Sequence, residues 1–200
     1  MRAREANCTA LDFETTGSVP GYRNEPWQIG IVELQRGAIV PDTTLESLLR
    51  VGERPFNPHA PGRHGELRRE IAAAPALTSL WSRLNPLLVG RPLIAHNVST
   101  EKRMLSDCFP LHRFGPWIDT LPLSRYAFPH LRSYSLQHIV ESLNLTADLD
   151  RICPNRTWHD ALYDAAASAC LLQYLISLPE WQTVTVETLS QITSSSPRKK

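Results

Sequence analysis

The segment Leu-Asp-Phe-Glu-Thr-Thr-Gly at 11–17 sets two acids, Asp12 and Glu14, one residue apart in a run that otherwise reads as a buried strand. Alternate side chains of a strand share a face, so both carboxylates point the same way. Like charges raise each other's pKa, and a strand interior disfavours Asp. A divalent cation is the natural compensation. Three more stretches carry acids or histidines in comparable places: Ala95-His96-Asn97 with Glu101, Trp117-Ile118-Asp119-Thr120, and His159 with Asp164. Hard cations such as Mg²⁺ take oxygen ligands and keep several waters. Two such ions about 3.5–4 Å apart hold a phosphodiester, activate water and stabilise the leaving oxygen. A nearby His then takes the water's proton. His159 and Asp164 would stand roughly 140° apart on one helix at about 100° per residue. His159 is therefore expected just before the helix, leaning over its first turn.

These residues need a frame. Asn7–Phe13 reads as a first strand and 26–37 as a second, with Trp27, Ile29 and Ile31 on one face and Val32 and Leu34 on the other. Gly37 turns the chain toward a third strand around 44–51, and the short links favour an antiparallel start. A Pro-rich stretch at 55–75 leads into helical sequence, and Pro86 is expected to bend or end the helix that follows. Short apolar strands at 91–97 and 116–120 alternate with helices: one from a Ser or Thr cap at 99–100, one from Leu121, one with Leu136, Ile139, Val140 and Leu143 on its apolar face, and a long Ala-rich one from Ala161. Antiparallel strands followed by β-α units predict a mixed α/β sheet covered by helices, with the acids gathered at strand ends.

The chain has 200 residues, room for one domain, and 42% hydrophobic residues, enough for a real core. Residues 1–180 are expected to form that domain and 181–200 a C-terminal extension with a disordered basic tail. With 21 basic and 20 acidic residues the formal net charge is +1, so any nucleic acid must be held locally. Cys8, Cys108, Cys153 and Cys170 match no zinc spacing and read as free thiols of a reducing cytosol. The N-terminal residues lack the apolar stretch of a signal peptide, and no run approaches the roughly 20 residues of a membrane helix.

Ordered along the chain, the motifs resemble the DEDD-type 3′→5′ exonucleases of the His-containing subgroup, which include the proofreading epsilon subunit of bacterial DNA polymerase III and RNase T. Asp-x-Glu-Thr-Thr-Gly stands at 12–17, Ala-His-Asn with a helical acid at 95–97 and Glu101, and His-x-Ala-x-x-Asp at 159–164. The resemblance covers about residues 8 to 176. It implies an RNase H-like fold, a five-stranded sheet of three antiparallel and two parallel strands flanked by helices. It implies two Mg²⁺ or Mn²⁺ ions held by Asp12, Glu14, Asp164 and Glu101, with His159 as the base. It further implies that Thr15, Thr16 and Gly17 lie against the terminal nucleotide with backbone N–H groups near the 3′-hydroxyl, that His64 contacts substrate, and that Asn97 serves the same end. Glu101 stands where relatives carry Asp, adding one methylene of reach, and Thr100 where relatives often carry Phe. The expected activity is hydrolysis of single-stranded 3′ ends to nucleoside monophosphates, DNA ahead of RNA, in the cytoplasm. An exoribonuclease of the RNase T type and a non-catalytic binding module on the same fold are the alternatives. A polymerase subunit is a candidate partner, although no clamp-binding peptide is legible, which leaves a standalone enzyme or a partner of another kind.

Blander readings attach to other residues. Asp107 and Asp160 read as surface acids, Asp119 as a helix cap, and His59, His112, His130 and His138 as surface or satisfied residues. Arginines at 50, 54, 63, 68 and 69 read as a solvated face that could serve as a basic rim for a short single strand.

Overall fold

The computed structural model describes residues 1–40 and 43–195. Its sheet is built from β1 (Cys8–Thr15), β2 (Pro26–Gln35), β3 (Ala38–Ile39), β4 (Leu45–Leu48), β5 (Leu93–Ala95) and β6 (Trp117–Asp119). The order is β3-β2-β1-β5-β6, with β4 also on β2. β1 runs antiparallel to β2, while β5 joins β1 and β6 joins β5 in parallel. The third strand expected around 44–51 is thus two short pieces on one edge of β2: β4 pairs with its first half and β3 with its second.

Period-2 alternation sorts the strands onto two cores. Cys8, Ala10, Val32 and Leu34 face one, where α7 (Ala161–Ser177) packs with α5 (Leu136–Ser142) and α6 (Thr146–Ile152). Leu11, Phe13, Ile29 and Ile31 face the other, beneath α2 (Trp81–Leu88) and α3 (Ser99–Cys108). Asp12, Glu14 and Gly30 fall by alternation on the α7 side. Pro86 sits in the last turn of α2, which closes two residues later. A short α1 (Arg68–Ala73) follows the Pro-rich stretch.

Two departures bear on the site. No Ser or Thr caps α3; Val98 is at its N-cap without a side-chain bond, and the Asp119 carboxylate reaches over from β6 instead. Part of the segment set apart as an extension is packed: α8 (Val186–Ser195) buries Val186 and Leu189 against β6 and α4 (Thr120–Ala127). The basic end of the tail, 196–200, lies outside the described residues. Among those residues no helix is long and apolar enough to cross a membrane.

Candidate active site

The strand register explains how distant acids meet. Asp12 pairs with Gly30 and Glu14 with Gln28 across β1 and β2. A Cβ on Gly30 would stand 2.2 Å from the backbone of Ala161 and Leu162. Glycine in this strand therefore has a definite use, the close approach of another backbone. The first turn of α7 comes down onto the sheet there and brings Asp164 to the acids of β1. Gln28 holds the turn in place: its Oε1 accepts from the Ala161 N–H at 3.3 Å, and its Nε2 donates to Asp160 at 3.1 Å. Asp160, read from the sequence as a surface acid, caps α7 through the Leu162 and Tyr163 N–H groups and pairs with Arg156, which also pairs with Glu46. On the other side of the sheet, Glu101 enters from the first turn of α3.

The result is an open cleft of about 390 Å³ lined by Asp12, Glu14, Glu101 and Asp164, together with Thr15, Gly17 and Asn97. One ligand atom each from Glu14, His159 and Asp164 lies within 4.8 Å of the others. Glu14 and Glu101 are buried, Asp12 and Asp164 half-buried and His159 exposed. His159 directly precedes the Asp160 cap, its backbone in the left-handed region at φ 65°. It stands where the spacing predicted, just ahead of the helix.

Burial pushes every one of these carboxyls up. It raises Asp12 well above the usual range, reinforced by the charges of Glu101, Asp164 and Glu14. Glu14 rises to about 8, from burial and then Asp164, and Glu101 to about 8, from burial with a smaller push from Asp119. Asp164 rises to about 7 through burial, against the pull of the His159 backbone N–H. The Oε2 of Glu101 and the Oδ1 of Asp164 are buried without a hydrogen-bond partner. Unpartnered buried acceptors call for an explanation. Crowded oxygen donors with open valence fit hard divalent cations.

The metal-free protein should therefore lose stability as pH rises. Unfolded Asp and Glu ionise near 4. The folded values of about 7 to 8 for Asp164, Glu14 and Glu101 mean that the fold holds extra protons in between. Stability is then fully present below the unfolded values and lost as pH climbs through the folded ones. In EDTA the melting temperature is expected to fall by several degrees from pH 4.5 to 8.5, at roughly 2–4 °C per kcal/mol. Mg²⁺ should flatten that fall, because a cation takes the place of the protons. A pH-independent apo melting temperature would contradict the crowding of these acids.

The substrate-side residues are placed unevenly. Thr15 and Gly17 line the cleft, whereas Thr16 is fully buried. The Thr16 N–H already donates to the Glu25 carbonyl at 2.9 Å, and its hydroxyl bonds to Asn24 at 3.0 Å. It braces the turn and has no free donor for a 3′-hydroxyl. His64 is buried, stacked on Phe56 at 5.1 Å with Nε2 at 3.0 Å from the Ala60 carbonyl, and is absent from the cleft wall. The histidines on that wall are His96 and His59, the latter beside Asn57 and Ala60. Neither His59 nor Asn57 carries a motif signal; only the return of the 55–62 loop onto the turn, through Asn57 N–H to the Thr16 carbonyl at 2.8 Å, reveals them. Asn97 is on the cleft at φ 68°. His96 orients the wall behind it: Nε2 faces the Tyr134 carbonyl, which only accepts, so Nε2 carries the proton and Nδ1 accepts from the Thr120 hydroxyl, each at 2.9 Å. Arg54 leaves the supposed basic rim, since its side chain is 2% exposed beneath Tyr22.

Comparison with known proteins bears on the family and the fold. A family profile described as Exonuclease, RNase T, matches residues 9–172. A DNA polymerase III subunit epsilon-like protein of Rhodobacter capsulatus is 29% identical over 162 residues, 80% of this chain and 22% of that protein. The 3′-5′ exonuclease DinG of Staphylococcus aureus is 26% identical over 191 residues, 94% of this chain and 20% of that protein. The chain thus spans about a fifth of the length of these relatives. Among solved structures, exonuclease X in complex with 5′ overhanging duplex DNA superposes with a TM-score of 0.70 at 26% identity, covering 93% of this chain and 99% of that one. The nuclease domain of 3′hExo, a DEDDh family member bound to rAMP, shares the fold at a TM-score of 0.64 and 15% identity, covering 88% and 94%. The mixed sheet flanked by helices is RNase H-like, and with a family match across 9–172 this chain belongs to the RNase T exonuclease family.

Proposed function

We propose that the chain is a divalent-metal-dependent 3′→5′ exonuclease that trims single-stranded ends to nucleoside monophosphates, with DNA preferred over RNA. One observation carries the reading: four carboxylates from β1, α3 and α7 converge on a single open cleft, with an exposed imidazole at its rim. Four acids facing a phosphodiester repel it, so the site needs positive charge before it binds substrate. Asp12, Glu14, Glu101 and Asp164 would hold two divalent cations, which supply that charge and lower the pKa of a bound water. His159 would take the proton of the attacking water, its exposed imidazole standing beside Glu14 and Asp164. Thr15, Gly17 and Asn97 bound the space for the terminal nucleotide, with Asn57 and His59 opposite. The named DNA-directed relatives support the choice of DNA.

The test is product analysis on 3′- and 5′-labelled single strands of DNA and RNA with Mg²⁺, Mn²⁺ or EDTA. Mononucleotides released from the 3′ end, faster from DNA and abolished by EDTA, are expected. Metal-independent binding without cleavage would support a binding module instead, and a faster RNA reaction would reverse the substrate order. Glu101→Ala is expected to cut Mg²⁺-dependent turnover by about 10²-fold, the scale of a displaced catalytic element, while leaving the apo melting temperature level or higher. Wild-type turnover in that variant would remove Glu101 from the ligand set.

A further inference from the structure

We propose that Asp119 is a positioning residue for the cleft: its carboxylate fixes the turn that aims Glu101. The proposal rests on the reading of Glu101 as a cation ligand. Asp119 ends β6 and is 8% exposed. It does not line the cleft, and both its oxygens are committed to backbone donors. Oδ1 accepts from the Asn97 N–H at 2.8 Å and the Leu121 N–H at 3.0 Å, and Oδ2 from the Val98 N–H at 3.2 Å. One side chain therefore caps two helices, α4 in its own segment and α3 across the β5–β6 junction.

The α3 cap matters most for chemistry. The chain passes from β5 into α3 through residues 96–98, with Asn97 in the left-handed region, and Glu101 is the third residue of the helix. The first-turn N–H groups of a helix have no partner within it. α3 has no capping side chain of its own, so the Asp119 carboxylate is what ties its entry to the end of the sheet. Around this junction His96 bonds to Thr120 and the Tyr134 carbonyl, and the Asp119 N–H donates to the Thr193 hydroxyl of α8 at 2.8 Å. The arrangement has an electrostatic cost, because a second acid near Glu101 opposes its ionisation. Geometry outweighs that cost if Glu101 must be held against a cation.

The experiment reads cation binding separately from hydrolysis. Mn²⁺ is titrated into the full chain without nucleic acid and followed by the EPR signal of free ion, for wild type, Asp119→Asn, Glu101→Gln and the double variant, with melting curves alongside. An amide keeps one acceptor oxygen and loses the other, so part of the α3 cap goes. Asp119→Asn is expected to weaken the weaker Mn²⁺ site roughly 10–100-fold, the usual effect of an outer-shell partner. The concentration of Mg²⁺ for half-maximal turnover should rise in step. The double variant should bind Mn²⁺ no worse than Glu101→Gln alone, because both changes act through one ligand. Should Asp119→Asn fail to fold, Asp119→Glu carries the same titration. Unchanged Mn²⁺ binding with a lowered melting temperature, or losses that multiply in the double variant, would overturn the proposal. If wild type cleaves no strand, the proposed function fails, and the Mn²⁺ titration still decides this role.

Discussion

Asp12→Asn is expected to lower turnover by about 10⁴-fold, on the order of 5–6 kcal/mol of transition-state stabilisation, and at the same time to raise the melting temperature of the metal-free protein at pH 8. Both effects come from one feature. Asp12 stands on the middle of β1 with Glu14 on the same face, and the charges of Glu101, Asp164 and Glu14 all press on it. An amide of the same shape removes one of four crowded charges, which relieves the apo fold. It also removes a carboxylate that lines the cleft with Glu14, Glu101 and Asp164, so on the proposed reading the cations would lose a ligand and the phosphodiester would meet a weaker positive centre. Opposite signs for activity and stability make the result diagnostic. A purely structural Asp12 would lose stability on substitution, because a satisfied buried group would be left unpaired. Steady-state rates in Mg²⁺ and a calorimetric scan in EDTA decide between the two.

Gly30→Ala touches no chemical group, yet it is expected to be strongly damaging, its added Cβ meeting the tightest contact of any glycine in the described residues. Its Cβ would stand 2.2 Å from the Ala161 carbonyl and the Leu162 nitrogen, and real Cβ atoms do not approach backbone closer than about 3 Å. The first turn of α7 must lift by nearly an ångström or β2 must bend away. Overpacking of this kind costs about 1–3 kcal/mol. The displaced turn carries Asp164 and the His159 that precedes it, and a catalytic group misplaced by about 1 Å costs about 10²-fold. The expected outcome is a folded protein with a melting temperature lower by several degrees and turnover reduced by about 10²-fold or more. Full activity would mean that α7 tolerates the shift, and that its packing on Gly30 does not set the site.

The chain by itself determined the outline of this protein. The sequence named strands over 7–13 and 26–37, where the fold has 8–15 and 26–35, and period-2 alternation sorted the second onto its two faces, because that period is set by backbone geometry alone. The spacing of Asp12 to Glu14, and of His159 to Asp164, is local and was legible for the same reason. Tertiary structure decided what depends on elements meeting. The Pro-rich loop after β4 turned His64 inward onto Phe56 and put His59 on the cleft, a choice made by packing that neighbouring residues in sequence do not encode. Thr16 reads like Thr15 in the motif, but the chain returning through Asn24 and Glu25 took its donors. Asp119 read as a cap for its own helix, which needs only local N–H groups; its hold on the entry to α3 exists only because the fold brings the Asn97 and Val98 N–H groups within about 3 Å of it. Gly30 signalled a close approach without saying of what. Hydrogen bonds and steric contact act over a few ångströms of space, and only the folded chain says which residues lie within that reach.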